Sequence, residues 1–309
     1  MNAGKTQNDL PRKGRSLWAD ARQRLYRDKI AMGCLCVILL YVIVAIAAPV
    51  VFAGWHDNYN YRMSNAPPGK EYFLGADVFG RSVLQKTMLG ATLSMSLAFL
   101  ANIIAVPLGM LIGAIAGYFG KYIDDFIVWL YTTLSCIPGI IRLIAIKFAF
   151  MDRILFEGAW CEIDLGSMPG LVIALSVTSW IGTCRLVRAE TMRLRELDYV
   201  QAARASGRGS FGIIFRHILP NVMHLGIIQF SLGFVMTIKS EVILSYLNLG
   251  VPGMPSWGKM ISDANMDLVV GRWWELTAAV SAIFFVVLAW NIFGDRLRDA
   301  LDPKLKNVD

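Results

Sequence analysis

Histidine, cysteine and carboxylate side chains carry most protein chemistry, and this chain deploys them sparsely. It has three histidines, His56, His217 and His224. None stands with a serine or cysteine nucleophile and an acid at a spacing that acyl transfer would use. Asp152, Glu157, Glu162 and Asp164 cluster in one short polar stretch, but their scatter and the lack of a nearby histidine suit a solvated loop better than a metal site. Cys34 and Cys36 are two apart on an apolar helix, about 200° around it, and cannot share a metal. Cys136 and Cys184 fall in or beside apolar segments, and Cys161 has no partner in reach by sequence, so no structural disulfide is expected. The run Gly253-Met254-Pro255-Ser256-Trp257-Gly258-Lys259-Met260 nearly spells a phosphate-binding loop. Met260 stands where a magnesium-binding hydroxyl is required, Pro255 interrupts the loop and no strand precedes it, so nucleotide binding is rejected. An autonomous hydrolase or ATPase is therefore disfavoured. What remains is four ionisable residues inside otherwise apolar segments: Arg142, Lys147, Lys239 and Glu241.

The elements around them are membrane spans. Of 309 residues, 56% are hydrophobic and the mean hydropathy is +0.51. That is the composition of an all-α polytopic membrane protein. Six spans are expected, over residues 30–52, 91–117, 125–148, 169–189, 221–245 and 274–294. The apolar run at 30–52 is too long, and its leading segment too extended, for a cleaved signal peptide. With the N-terminus inside, 20 of the 30 Lys and Arg fall on the inner side and 7 on the outer. That asymmetry supports cytoplasmic N- and C-termini. It also accounts for the net charge of +7 without invoking nucleic acid. The expected organisation is a cytoplasmic tail or interfacial helix (1–29), a first span (30–52), an extracytoplasmic loop (53–90), a five-helix core (91–294) and a cytoplasmic tail (295–309). Basic residues from Arg12 to Lys29 alternate with Leu17, Trp18, Leu25 and Tyr26, which suits either a helix on the lipid surface or a disordered basic tail.

An ionisable group at membrane depth costs several kcal/mol, about 2.5–3.5 on insertion scales, unless it meets water or a partner. Arg142 and Lys147 thus either line a pathway, where they would favour an anionic group, or mark a third span that ends near Ile141. Pro138 in that span can kink it. Lys239 and Glu241 point to different faces of one span. Glu241 is either a gating residue or an acceptor that ties helices together. Gly109, Gly113 and Gly117 recur every four residues and make a groove for a closely packed helix, from this chain or from a partner.

The longest charge-rich interruption of the apolar second half is residues 190–220. Asp198 is expected to cap a short helix from Tyr199 to Ser206, and Gly207 to end it in the left-handed conformation. A helix that short is marginal alone and needs something to dock against. Tyr199, Ala202, Ala203 and Ser206 share one face, small at its centre. The pattern suits an ordinary amphipathic surface helix or a helix that another protein covers.

Gln201-Ala202-Ala203, then Gly207, then Leu219-Pro220 resembles the EAA loop of ABC importer permeases. The string Tyr199-Val200-x-Ala202-Ala203-x-Ala205-x-Gly207, with Arg216-His217-Ile218-Leu219-Pro220-Asn221, is similar to the dipeptide/oligopeptide/nickel branch. Gln201 replaces the Glu of the motif's name, and His217 the Ile of the general pattern. Other segments resemble the same branch: Phe73-Leu74-Gly75-x-Asp77-x-x-Gly80-Arg81 (Ala76 and Ser82 departing from it), Val187-Arg188-Ala189-Glu190, Pro255-Ser256-Trp257-Gly258, and the ending Gly294-Asp295 to Asp302-Pro303. The resemblance implies a type I ABC importer permease fold in the bacterial inner membrane. It implies a subunit that forms half of a translocation pathway for short peptides. Its partners would be a second homologous permease, two ATP-binding cassette subunits and an extracytoplasmic binding protein, within membrane lipid. ATP and Mg would be bound by the ATPase partners, with no cofactor in this chain. Tyr199, Gln201, Ala202, Ala203, Ser206, Gly207, His217, Leu219 and Pro220 would form the ATPase-coupling element, and Ala203→Asp would block its docking. A nickel or other small-solute permease is the nearest alternative. An autonomous secondary transporter is further off, because no internal repeat is visible, and an intramembrane enzyme lacks a catalytic pair.

Overall fold

The computed structural model describes residues 17–151, 153–155 and 163–301. The tail before Leu17, the loop residues Asp152, Glu157, Cys161 and Glu162, and the ending from Asp302 lie outside them. Helix dominates. Five helices are long and apolar enough to cross a membrane, or six if one sharply bent pair counts as a single span.

The chain enters through α1 (Leu17–Arg27), a helix where the sequence left open a disordered tail. Asp28 breaks it and caps α2 (Lys29–Val51), accepting from the amides of Ile30 at 2.9 Å and Ala31 at 3.3 Å. Those amides are orphan donors of the first turn. Asp28 also reaches Arg296 at 3.4 Å, tying this end of α2 to the last helix. At ~1.5 Å per residue, α2 is about 35 Å long, enough to span a bilayer.

The second span begins earlier than expected. Helix α3 covers Val83–Phe119, so residues 83–90, assigned by sequence to a loop, are helical. Lys86 lies inside this helix. Its head is buried, 2.6 Å from Glu275, 3.4 Å from Asp263 and 3.8 Å from Asp77. A lysine neutralised in this way does not mark the end of a buried helix. The Asp77–Arg81 pair is part of the same cluster: Arg81 donates to Asp77 Oδ2 through Nε at 3.0 Å and through its terminal nitrogen at 2.9 Å. Gly80 closes that turn at φ +73°, where an added Cβ would collide with the Asn60 backbone.

Beyond Gly120 the chain turns into α4 (Lys121–Cys136) and then α5 (Gly139–Phe150). The sequence suggested one span over 125–148. The structure has two helices bent by 91°. Pro138 disfavours the helical conformation at the residue before it, and Ile137 is extended at φ −87°, ψ 126°. A two-stranded ribbon, β1 (Ile154–Leu155) with β2 (Ile163–Asp164), leads to α6 (Met168–Leu194). Then come α7 (Asp198–Ala205), α8 (Ser210–Ile213), a π turn (Ile214–Ile218) and α9 (Leu219–Tyr246). The chain ends in α10 (Trp257–Val269) and α11 (Trp274–Leu301).

Helix α3 is central, packing against α2, α6 and α9. The three glycines form its seam with α6 of the same chain. A Cβ at Gly109 would lie 2.6 Å from the Trp180 carbonyl oxygen, and one at Gly117 would lie 2.6 Å from that of Arg188. Only a missing side chain allows backbones so close. The other side of α3 builds an apolar cluster with α2, α9, α10 and α11 around the fully buried Trp257, whose indole donates to the Thr87 carbonyl at 3.0 Å.

Candidate functional site

Helix α7 has a seat and a free face. Val200 is 2% exposed. It joins Val106, Met110 and Ala114 of α3, Val187 and Leu194 of α6, and Ile213, Ile214, Ile218 and Val222 further on. One branched side chain thus roots an eight-residue helix that would not persist alone. Asp198, Ala202 and Ala205 lie on the opposite side, all exposed, with Gln201 and Ser206 flanking them.

Two expectations change here. Ala203 does not share the free face; it is half-buried and packs against the apolar cluster, because it lies about 60° from Val200 on the helix. Asp198 does not cap the helix. Leu197, extended at φ −77° and ψ 146°, holds the cap position with no side-chain bond, and its carbonyl accepts from Val200 and Gln201. Asp198 is the first helical residue, where a carboxylate acts only on the helix dipole.

The C-terminal end closes with a two-bond glycine motif. Gly207 lies at φ +78°; its amide donates to the Arg204 carbonyl at 3.0 Å, and that of Arg208 donates to the Ala203 carbonyl at 3.2 Å.

Three tethers hold α7 to the rest of the bundle. Gln201 donates to the Arg195 carbonyl at 2.8 Å, and Arg195 donates to the Gly117 carbonyl at 3.1 Å, at the end of the glycine seam. The carboxamide donor is what a glutamate at this position would lack. On the other side, Asn221 donates to Tyr199 Oη at 3.1 Å and to the His217 carbonyl at 2.7 Å. Partial burial raises the Tyr199 phenol above its ordinary value, so it stays protonated. Arg208 and the His217 ring meet at 3.1 Å. Sequence reasoning quoted Asn221 only as part of a motif; its place four residues after His217 was the available signal.

Leu219 and Pro220 set the geometry at the start of α9. Proline has no amide to donate and its ring crowds the carbonyl four residues back. The helix opens there into the π turn, with the Leu219 amide reaching the Ile214 carbonyl five residues back. Such wide turns relieve the clash without ending the helix. Residues Ser210–Tyr246 therefore run as one rod of 37 residues, about 55 Å long at ~1.5 Å per residue. Close to α7, Arg188 of α6 makes a two-pronged ion pair with Asp124 of α4. Sequence reasoning did not foresee this pair, since 64 residues separate its members. Beside α7 opens a cleft of about 370 Å³ whose rim carries Lys121, Arg195 and Arg204 against Glu196.

The four intramembrane ionisable residues are not brought together. Arg142 donates to the Leu134 carbonyl, an orphan at the end of α4, and to Thr178 at 3.3 Å. Lys147 is buried and donates to the Gly166 carbonyl at 2.5 Å. Glu241 is fully buried and accepts from Ser94 at 2.8 Å and Ser245 at 2.6 Å, tying α9 to α3. Lys239 is exposed.

Residues 109–307 match the family described as binding-protein-dependent transport system inner membrane component. Residues 16–68 match the N-terminal transmembrane domain of oligopeptide transport permease C. The dipeptide transport system permease protein DppC of Alkalihalophilus pseudofirmus is 35% identical over 293 residues, covering 94% of this chain and 91% of that protein. The oligopeptide transport system permease protein OppC of Bacillus subtilis is 31% identical, covering 99% and 95%. The glutathione transport system permease protein GsiD of Pectobacterium atrosepticum is 32% identical, covering 95% and 93%. A bundle of apolar spans with a short helix rooted at one end, matched along nearly its whole length by such permeases, belongs to the family of binding-protein-dependent transport system inner membrane components.

Proposed function

We propose that this chain is a membrane-spanning subunit of an ATP-driven importer of short peptides, and that α7 is where a separate ATPase subunit docks. The observation that carries this reading is the division of α7: Val200 is buried in the chain's own bundle while Asp198, Ala202 and Ala205 are exposed. Small residues at the centre of the free face let another protein's surface approach closely. The chain offers no nucleotide-binding motif, so ATP and Mg belong to the partners. The relatives named for dipeptide, oligopeptide and glutathione transport support short peptides as the cargo. The excess of Lys and Arg at the α7 end supports placing that end, and both termini, in the cytoplasm. The loop at 53–82 and α10 then face outward, where a cargo-binding protein would deliver its load.

The mechanism is alternating access. Closure of the ATPase dimer moves α7. The tethers through Tyr199, Asn221 and Arg208 pass that movement to the rod from Ser210 to Tyr246, and those through Gln201 and Arg195 pass it to the α3–α6 seam. No proton transfer or nucleophile is needed in this chain; its residues bind, seat and transmit. Co-purification of the tagged chain from its native membrane in mild detergent tests the reading. A second permease and one or two ATPases should accompany it. Recovery of the chain alone, stable and monodisperse, would favour an autonomous transporter.

A further inference from the structure

We infer that Lys239 lines the translocation pathway and binds the terminal carboxylate of the peptide in transit. This inference rests on the importer reading above. Among the four ionisable residues at membrane depth, three have partners in this chain: Arg142 and Lys147 hold backbone carbonyls, and Glu241 holds two serines. Lys239 makes no ion pair or hydrogen bond among the described residues, and it is exposed. It sits seven residues before Tyr246, the end of α9, or about 10 Å along the helix.

The face that bears Lys239 differs from the faces that suit lipid. The exposed columns of α2 (Leu39, Ile43, Ile46, Val50) and of α11 from Val280 to Leu288 are hydrocarbon throughout. The exposed column of α9 runs through Leu232, Met236, Lys239, Ile243 and Tyr246. The half-buried polar residues Gln229 and Ser240 flank it. An ammonium in lipid is costly, and such groups face a water-filled cavity or the bundle interior instead. The buried side of the same helix carries Thr237, Glu241 and Ser245, so the helix sorts its polar groups into a packed side and a wet side.

A carboxylate is the fitting occupant. Among the described residues, the chain's own buried carboxylates, Asp77, Asp124, Glu241 and Glu275, already have partners inside it, so none of them is left to pair with Lys239. Lys239 stands on the rod that α7 moves, where a contact that forms and breaks each cycle is more suitable than a fixed pair. Every linear peptide with a free end carries one carboxylate regardless of its side chains. A lysine is a compact charge with three rotatable donors and accepts that group in many poses.

The test uses the complete transporter in proteoliposomes with its binding protein saturated by trialanine or by trialanine amide. Wild type should move the free acid about tenfold faster than the amide, the scale of one charge-assisted hydrogen bond. Lys239→Gln and Lys239→Met should slow the free acid to the rate of the amide and leave the amide rate unchanged, and Lys239→Arg should restore the preference. Equal slowing of both peptides, or of neither, overturns the assignment while the importer reading stands. Loss of the second permease from the Lys239→Gln complex also overturns it, placing the lysine against a carboxylate of that subunit. Absence of any ATP-dependent peptide uptake by wild type removes both readings.

Discussion

Val200→Ala should loosen α7 without disturbing the spans. The valine is 2% exposed and packs into a cluster drawn from α3, α6 and the π turn. Removing two methyl-sized groups forfeits about 1.6 kcal/mol of burial at ~0.8 kcal/mol each. The cavity left behind raises this to about 2 kcal/mol or slightly more. An eight-residue helix has little intrinsic stability to absorb that loss, so the cost falls on local docking and not on the global fold. At 1.4 kcal/mol per decade, the undocked fraction of α7 rises about 30-fold. Hydrogen exchange of the detergent-solubilised complex reads this directly. Amides of residues 198–206 should lose protection by about that factor, while those of residues 105–117 on α3 keep theirs. Unchanged exchange over 198–206 would show that Val200 does not root the helix. A loss spread equally over α3 would show that α7 and the bundle open as one unit. Either result refutes the division into seat and free face.

Two further perturbations probe the scaffold. Gly113→Leu pushes a side chain into the α6 backbone, where even a Cβ would lie 3.1 Å from the Arg188 amide nitrogen; overpacking of this kind costs about 1–3 kcal/mol or more, and thermal unfolding of the purified chain should drop by several degrees. Lys86→Met strands Glu275 at 3% exposure and should cost about 3–5 kcal/mol, whereas Lys86→Met with Glu275→Leu should recover much of the loss. The same unfolding assay would disprove this if single and double variants were equally destabilised.

The spans were legible because hydropathy over about 20 residues records the demand of a hydrocarbon slab. The short helix at 198–205 was legible because Gly207 and Pro220 leave local backbone choices few alternatives. What failed depended on contacts between distant residues. Nothing local reveals that Lys86, within the stretch assigned to a loop, meets Glu275, 189 positions away. Pro138 signalled a bend, but neither its 91° angle nor the contacts of Arg142 back to Leu134 and across to Thr178 is encoded in a local pattern. Ala202 and Ala203 are both small and differ by one position. Only the placement of Val200 against α3 and α6 decides which of them faces outward. The glycine seam declared that a helix packs there, and the structure supplies the helix, α6.

The distinction between Ala202 and Ala203 also selects the decisive test. Ala203→Asp would put a carboxylate against the chain's own apolar cluster and unseat α7, confusing docking with folding. Ala202→Asp alters only the exposed face. Burying an unpaired carboxylate under a partner costs several kcal/mol, so ATPase docking should weaken about a hundredfold or more. The measurement is ATP-dependent peptide uptake and peptide-stimulated ATP hydrolysis by the reconstituted Ala202→Asp complex, with exchange protection of α7 as the control for seating. A coupling role for α7 requires both activities to collapse while α7 stays protected and the chain inserts at its normal level. Normal uptake and normal stimulated hydrolysis at normal expression would contradict it and remove α7 as the coupling element.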